Sequence, residues 1–197
     1  MAWKTERWLQ ELFPGKEKIY SEYRALPRRE LAIVAAAVLD AALAELLTMR
    51  LLDDEKECHD FLGVSGDSRS PCASLGARIQ LAYLIRLITK DDVTVLRMIK
   101  NIRNAFAHRV NADFTSPEVL PLIRALNSQF RTQSNRLIDA GVLNGARHEE
   151  DVIGPHLTTI PEAGAGLLLA VFTVYHAYLH RMSESVNRIG NPLKSPN

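Results

Sequence analysis

Residues 92–108 read Asp92-Val93-Thr94-Val95-Leu96-Arg97-Met98-Ile99-Lys100-Asn101-Ile102-Arg103-Asn104-Ala105-Phe106-Ala107-His108. Val93, Val95, Leu96, Met98, Ile99 and Ile102 recur at helical spacing, so the stretch is a helix with one apolar face, and Asp91 is expected to cap its start. Its last turns carry an always-cationic Arg103, the amide of Asn104 and the imidazole of His108. A guanidinium holds a phosphate through paired hydrogen bonds and a histidine gives or takes a proton near neutral pH, which together suit phosphodiester chemistry without a metal. The same residues equally make a closed helix end, with Arg103 paired to an acid such as Asp40 and His108 facing the negative end of the helix.

Working outward, the chain is helical nearly throughout. Short amphipathic segments from about Trp3 to Phe13 and from Lys16 to Arg24 are broken at Pro14-Gly15. Pro27 opens a long helix from Arg28 to about Leu52, with Leu31, Val34, Val38 and Leu46 at helical spacing and alanines that imply close helix contact. Asp40 stands out on it, because a carboxylate among apolar neighbours needs a cation or donors. A short helix is expected from Cys58 to Leu62, then a Gly/Ser/Pro loop, then a helix from Leu75 to about Ile88 that carries a second buried-looking charge, Arg78. Thr115-Ser116-Pro117-Glu118 reads as a helix start running to about Leu126, continued or neighboured by Gln129–Ile138. An irregular stretch follows, and a last helix opens at Thr159-Ile160-Pro161-Glu162 and runs to about Ile189.

No stretch alternates with period two for long enough to make a sheet. The expectation is an all-α fold, one compact bundle of about five to eight helices. Within this single domain, residues 1–26 hold the short N-terminal helices, 27–126 the helical core with the Arg103–His108 motif, and 127–197 an irregular segment plus a long packing helix.

Composition narrows the function. The 197 residues are 47% hydrophobic and 24% charged, with a net charge of +1, which argues against binding duplex DNA by bulk attraction alone. Cys58 and Cys72 form no CxxC pair, so neither a disulfide framework nor a zinc site is indicated, and reduced thiols in a cytoplasm are expected. The N-terminus lacks an apolar signal stretch, and Ala163–Leu179 falls short of the ~20 residues of a membrane span, so no membrane is expected. His176 and His180 sit at i and i+4 but lack the glutamate of HExxH and a third ligand; no metal and no cofactor is expected. Trp3 and Trp8 read as staples for the first helix. Phosphate-loop, dinucleotide and GxSxG patterns are absent.

On a continuous helix, five residues separate Arg103 and His108 by about 140° around the axis, so they share no face. Either the helix ends near Ala107, or two copies of the motif face each other across a dimer.

LDAALAELL, the segment CASLGARIQLAYLIRLI, and IKNIRNAFAH followed by NADFTSPEV resemble the mannitol operon repressor family, in order and over roughly the middle half of the chain. The Arg-x4-His spacing with Asn after Arg is similar to that of the HEPN superfamily. The first resemblance implies an all-helical transcriptional regulator acting through DNA or regulatory-protein contacts, although no recognition helix stands out. The second implies a metal-independent endoribonuclease of toxin or phage-defence type. It would work as a homodimer on RNA, controlled by an antitoxin or a defence-system partner. Under it, Arg103 would hold the scissile phosphate, His108 would act as general acid or base, and Asn104 would position one of them. Asp40 and Arg78 would support the site by deciding whether Arg103 is neutralised.

Overall fold

The computed structural model describes residues 23, 25–51, 53–64 and 69–139, and within the C-terminal helical run 164–168, 170–172, 174–176, 178, 179 and 182. The expected helices before Tyr23, the irregular stretch 140–163 and the tail lie outside them, as do Trp3, Trp8 and His180. The described residues form an all-α fold of six helices: α1 (Arg28–Arg50), α2 (Glu55–Leu62), α3 (Leu75–Leu84), α4 (Lys90–His108), α5 (Leu120–Asp139) and α6 (Gly164–His176), whose helical conformation recurs at Tyr178, Leu179 and Met182.

α4 is the common neighbour, packing against α1, α3 and α5, while α1 also packs on α3. Asp92, Val93, Val95, Leu96, Ile99, Ile102 and Phe106 are its buried residues. α1 begins just after Pro27, and eight consecutive residues, Ala42–Met49, are buried, so its second half is enclosed on all sides. α1 is long and apolar enough to cross a membrane, but most of it is buried here against other helices. Its alanines keep the backbones close, the case for a core helix of a compact bundle.

Several boundaries differ from the sequence expectation, each for a visible reason. α2 starts at Glu55, because the Asp54 carboxylate accepts from the Glu57 amide, and it ends on Gly63 in the left-handed conformation (φ 66°), where glycine carries no Cβ penalty. α3 stops at Leu84 rather than near Ile88. The Leu87 amide donates to Ala82 and the Arg86 amide to Tyr83, closing a Schellman end with Arg86 left-handed (φ 60°), where glycine is usual. Thr89, not Asp91, caps α4: its hydroxyl accepts from the Asp92 amide while the Asp92 carboxylate accepts from the Thr89 amide, a reciprocal capping box. Thr115–Glu118 does not start α5. Asp113 and Ser116 draw this segment into successive turns, Glu118 pairs with Arg109, and the helix begins at Leu120 with Pro121 in its first turn. α5 then runs unbroken past residue 126 to Asp139.

The segment leaving α4 is tied down. Arg28 at the start of α1 pairs with Asp113 at 2.8 Å, and Phe114, fully buried, packs on Phe106 with ring centroids 4.8 Å apart. α6 approaches so closely that a Cβ on Gly164 would lie 2.6 Å from that of Phe114.

Candidate functional site

Arg103, Asn104 and His108 all lie on the C-terminal turns of α4, whose inner side is anchored by Ile99, Ile102 and Phe106. Arg103 is exposed, and its Nη1 donates to Asn104 Oδ1 at 3.0 Å. Asn104 thus accepts from the neighbouring guanidinium on the helix surface. His108 is exposed and is the last residue of the helix, with Arg109 the extended residue that leaves it. The helix does not break at Ala107, so within one chain Arg103 and His108 remain about 140° apart around the axis.

Asp40 is engaged by Arg78, whose Nη1 stands 2.7 Å from Asp40 Oδ1. The Arg78 side chain is only 8% exposed and Asp40's 27%. The same guanidinium donates from Nε to the Cys72 carbonyl at 3.1 Å and from Nη2 to the Leu62 carbonyl at 2.6 Å. Arg78 thus ties the end of α2 and the approach to α3 onto α1, and its buried charge is compensated by the Asp40 carboxylate and three carbonyls, those of Cys72, Leu62 and, at 3.5 Å, Asp40. Burial pushes the Asp40 carboxyl above its usual value, opposed by the attraction of Arg78 and, more weakly, of Arg103. Arg103 is close enough to be felt by Asp40 but makes no ion pair with any described carboxylate.

Burial also raises the Cys72 thiol, against the attraction of Arg78; both cysteines are buried and unpaired with each other. Among the described residues no group of three or more His, Cys, Asp and Glu is placed to hold a metal, and His176 stacks on Phe172 with centroids 5.9 Å apart.

The most elaborate polar cluster escaped the sequence reading. Asp92 is fully buried, and its carboxylate accepts from five donors. Oδ2 takes the Thr89 amide (2.8 Å), the Thr89 hydroxyl (2.7 Å) and the Tyr178 hydroxyl (3.2 Å). Oδ1 takes Gln133 Nε2 (2.7 Å) and the Tyr175 hydroxyl (3.2 Å). The positive end of α4 helps hold this anion, which ties α4 to α5 and α6. Burial, then the charge of Asp92, drives both tyrosine hydroxyls far above their ordinary pKa. The Thr-x-x-Asp spacing is a visible signal for the cap; the tyrosines, more than eighty residues away, leave none.

Set beside known proteins, the chain matches no family model, no curated protein and no solved structure.

Proposed function

We propose that this chain is a metal-independent endoribonuclease of the toxin or phage-defence kind, acting on RNA in a cytoplasm, with Arg103 as phosphate ligand and His108 as proton-transfer group. One observation carries the reading: Asp40 is occupied by Arg78, leaving the Arg103 guanidinium at the surface with no described carboxylate to neutralise it. The resemblance of the motif to HEPN proteins supports the same roles. In the reaction, the ribose 2′-oxygen bonds to phosphorus as the bond to the 5′-oxygen breaks. The 2′-hydroxyl proton is removed, the 5′-oxygen takes one up, and a 2′,3′-cyclic phosphate results with no water or redox step. Arg103 would offset the charge gathering on the phosphoryl oxygens. Because one chain holds Arg103 and His108 on different sides of α4, the working site needs a second copy, with the arginine from one and the histidine from the other.

The test is RNA cleavage in the presence of chelator. Wild type should cut RNA and spare DNA of the same sequence, while Arg103→Ala and His108→Ala should each be inactive. If each site is shared, mixing the two inactive variants restores about a quarter of the activity, since half the dimers are mixed and each has one intact site. Equal cleavage by wild type and His108→Ala, or none by wild type, would end the catalytic assignment.

A regulator resembling the mannitol operon repressor family, binding DNA or protein, is the second reading. The separation of Arg103 from His108 within one chain favours it if the protein stays a monomer when RNA is bound. Operator-specific DNA binding with harmless expression would establish it.

A further inference from the structure

From Val93 to Ala112 the sequence holds no Asp or Glu, in a chain whose charges as a whole nearly balance. On α4 this run presents Arg97, Lys100 and Arg103 at successive intervals of three residues, and none of them meets a described carboxylate. Each step advances about 4.5 Å along the axis and about 60° around it, so the three cations form one oblique row about 9 Å long on the helix surface. Asn101 and Asn104 lie beside the row. Lys100 runs across the first turn of α3, its Nζ 3.3 Å from where a Gly76 Cβ would stand, so the absence of a side chain at Gly76 makes room for it. Asp40, which borders the row near Arg103, is already engaged by Arg78.

We infer that the Arg97–Lys100–Arg103 row is a phosphate track that binds the backbone of a single RNA strand and leads it to Arg103. The identity of the strand as RNA rests on the ribonuclease reading; the track rests on the charges. Successive unneutralised cations suit a polyanion with regularly spaced phosphates, and the amides between them can hydrogen-bond sugar or base edges. A membrane-surface helix would interleave large apolar side chains with its cations, whereas here the neighbours are asparagines.

The test uses a fluorescein-labelled RNA of about 16 nucleotides, within the range one strand-binding module covers. Its riboses are 2′-O-methylated, which removes the nucleophile and separates binding from cleavage. Anisotropy titrations across a salt series compare wild type, Arg97→Gln/Lys100→Gln, and a control pair, Lys56→Gln/Arg124→Gln, exposed on other helices. The track variant should bind at least about tenfold more weakly near 50 mM salt. Its slope of log K against log salt should be shallower by about 1.4, at about 0.7 for each phosphate of a single strand that is no longer neutralised. The control should match wild type, and all three should share one circular dichroism spectrum. Unchanged affinity and slope in the track variant would overturn the inference. So would track-dependent binding confined to duplex DNA or to vesicles of anionic phospholipid. If the track behaves as expected while wild type leaves unmodified RNA intact, the inference stands and the ribonuclease reading falls.

Discussion

Replacing Asp92 by Asn tests whether a buried anion anchors the helix that carries the candidate site. Among the described residues the carboxylate has no cation beside it and is held by five donors, three on Oδ2 and two on Oδ1. An asparagine can turn its carbonyl oxygen to the three donors, but those bonds then fall from charge-assisted to neutral, a loss of about 0.5–1.5 kcal/mol each. Its amide group then faces Gln133 and Tyr175. The Tyr175 hydroxyl can rotate to accept. Gln133 must swap ends, bringing its Oε1, buried and unpartnered in the native protein, onto the new donor and leaving Nε2 orphaned at about 1–3 kcal/mol. Removing a buried charge relieves part of this, so the net cost should be about 2–4 kcal/mol. Asp92→Ala loses the reach-back half of the capping box and both carboxylate acceptors together and should exceed about 5 kcal/mol, close to the whole stability of a marginal domain. Urea unfolding followed by circular dichroism at 222 nm reads both. In the Asp92→Asn background, Gln133→Leu should recover part of the loss by removing the orphaned donor, a coupling that a double-mutant cycle isolates. A cost below about 1 kcal/mol for Asp92→Asn would show that the buried carboxylate is not what the five donors stabilise.

Three further outcomes follow from the same geometry. Tyr175 and Tyr178 have folded-state pKa values raised by burial and by Asp92, so the native state holds their protons where the unfolded chain has released them. Stability is therefore intact below the ordinary tyrosine value of about 10 and falls above it, by about 1.4 kcal/mol per pH unit for each residue. Absorbance at 295 nm should show these two hydroxyls ionising only as the helices melt. Gly164→Ala puts a methyl 2.6 Å from Phe114 Cβ, an atom fixed to the backbone, and should cost about 1–3 kcal/mol in thermal melts. Gly166→Ala, which meets nothing within 4 Å, should instead gain up to about 1 kcal/mol. Arg78→Met strands the Asp40 carboxylate and three carbonyls and should cost about 3–5 kcal/mol, whereas Arg103→Gln should change stability by less than about 0.5 kcal/mol. Equal losses from the two arginine variants would refute the division of roles between them.

The helical class is legible because apolar spacing states it repeatedly: the spacing predicts α1 from Arg28 to about Leu52, and it spans Arg28–Arg50. Helix starts are harder to read wherever two plausible caps compete. Thr89 and Asp91 both precede the apolar run of α4, and the winner is the hydroxyl whose partner, Asp92, can reach back to it. At Thr115–Glu118 a sound local start signal yields to longer-range partners, since Glu118 pairs with Arg109 and the neighbouring Asp113 with Arg28. Nothing local encodes those choices. The same limit applies to the site. That Asp40 must find a partner follows from its apolar neighbours, but which arginine it takes depends on how α1, α3 and α4 are placed. Arg78 succeeds because its fourth position in α3 also reaches the carbonyls of Cys72 and Leu62, so one guanidinium answers the Asp40 carboxylate and the carbonyls around it.

That outcome leaves Arg103 without an ion pair among the described residues but does not bring it to His108. An α-helix with its side chains is about 10–12 Å across, so groups separated by about 140° on its surface lie nearly a helix diameter apart, besides the axial rise of about 7.5 Å between them. One phosphate that accepts from a guanidinium and exchanges a proton with an imidazole must stand within about 3 Å of each. The two requirements conflict on a helix that stays regular through His108. They are reconciled if two such helices meet with the Arg103 flank of one against the His108 face of the other, and the acid-free surface from Val93 to Ala112 would make that meeting repulsive until an anionic strand lay between the copies. The ribonuclease reading therefore requires pairing that is favoured by the substrate, so light scattering should show more dimer when RNA with blocked 2′-hydroxyls is added than in its absence. A protein that stays monomeric at saturating strand would leave Arg103 able to bind phosphate and His108 unable to act on it.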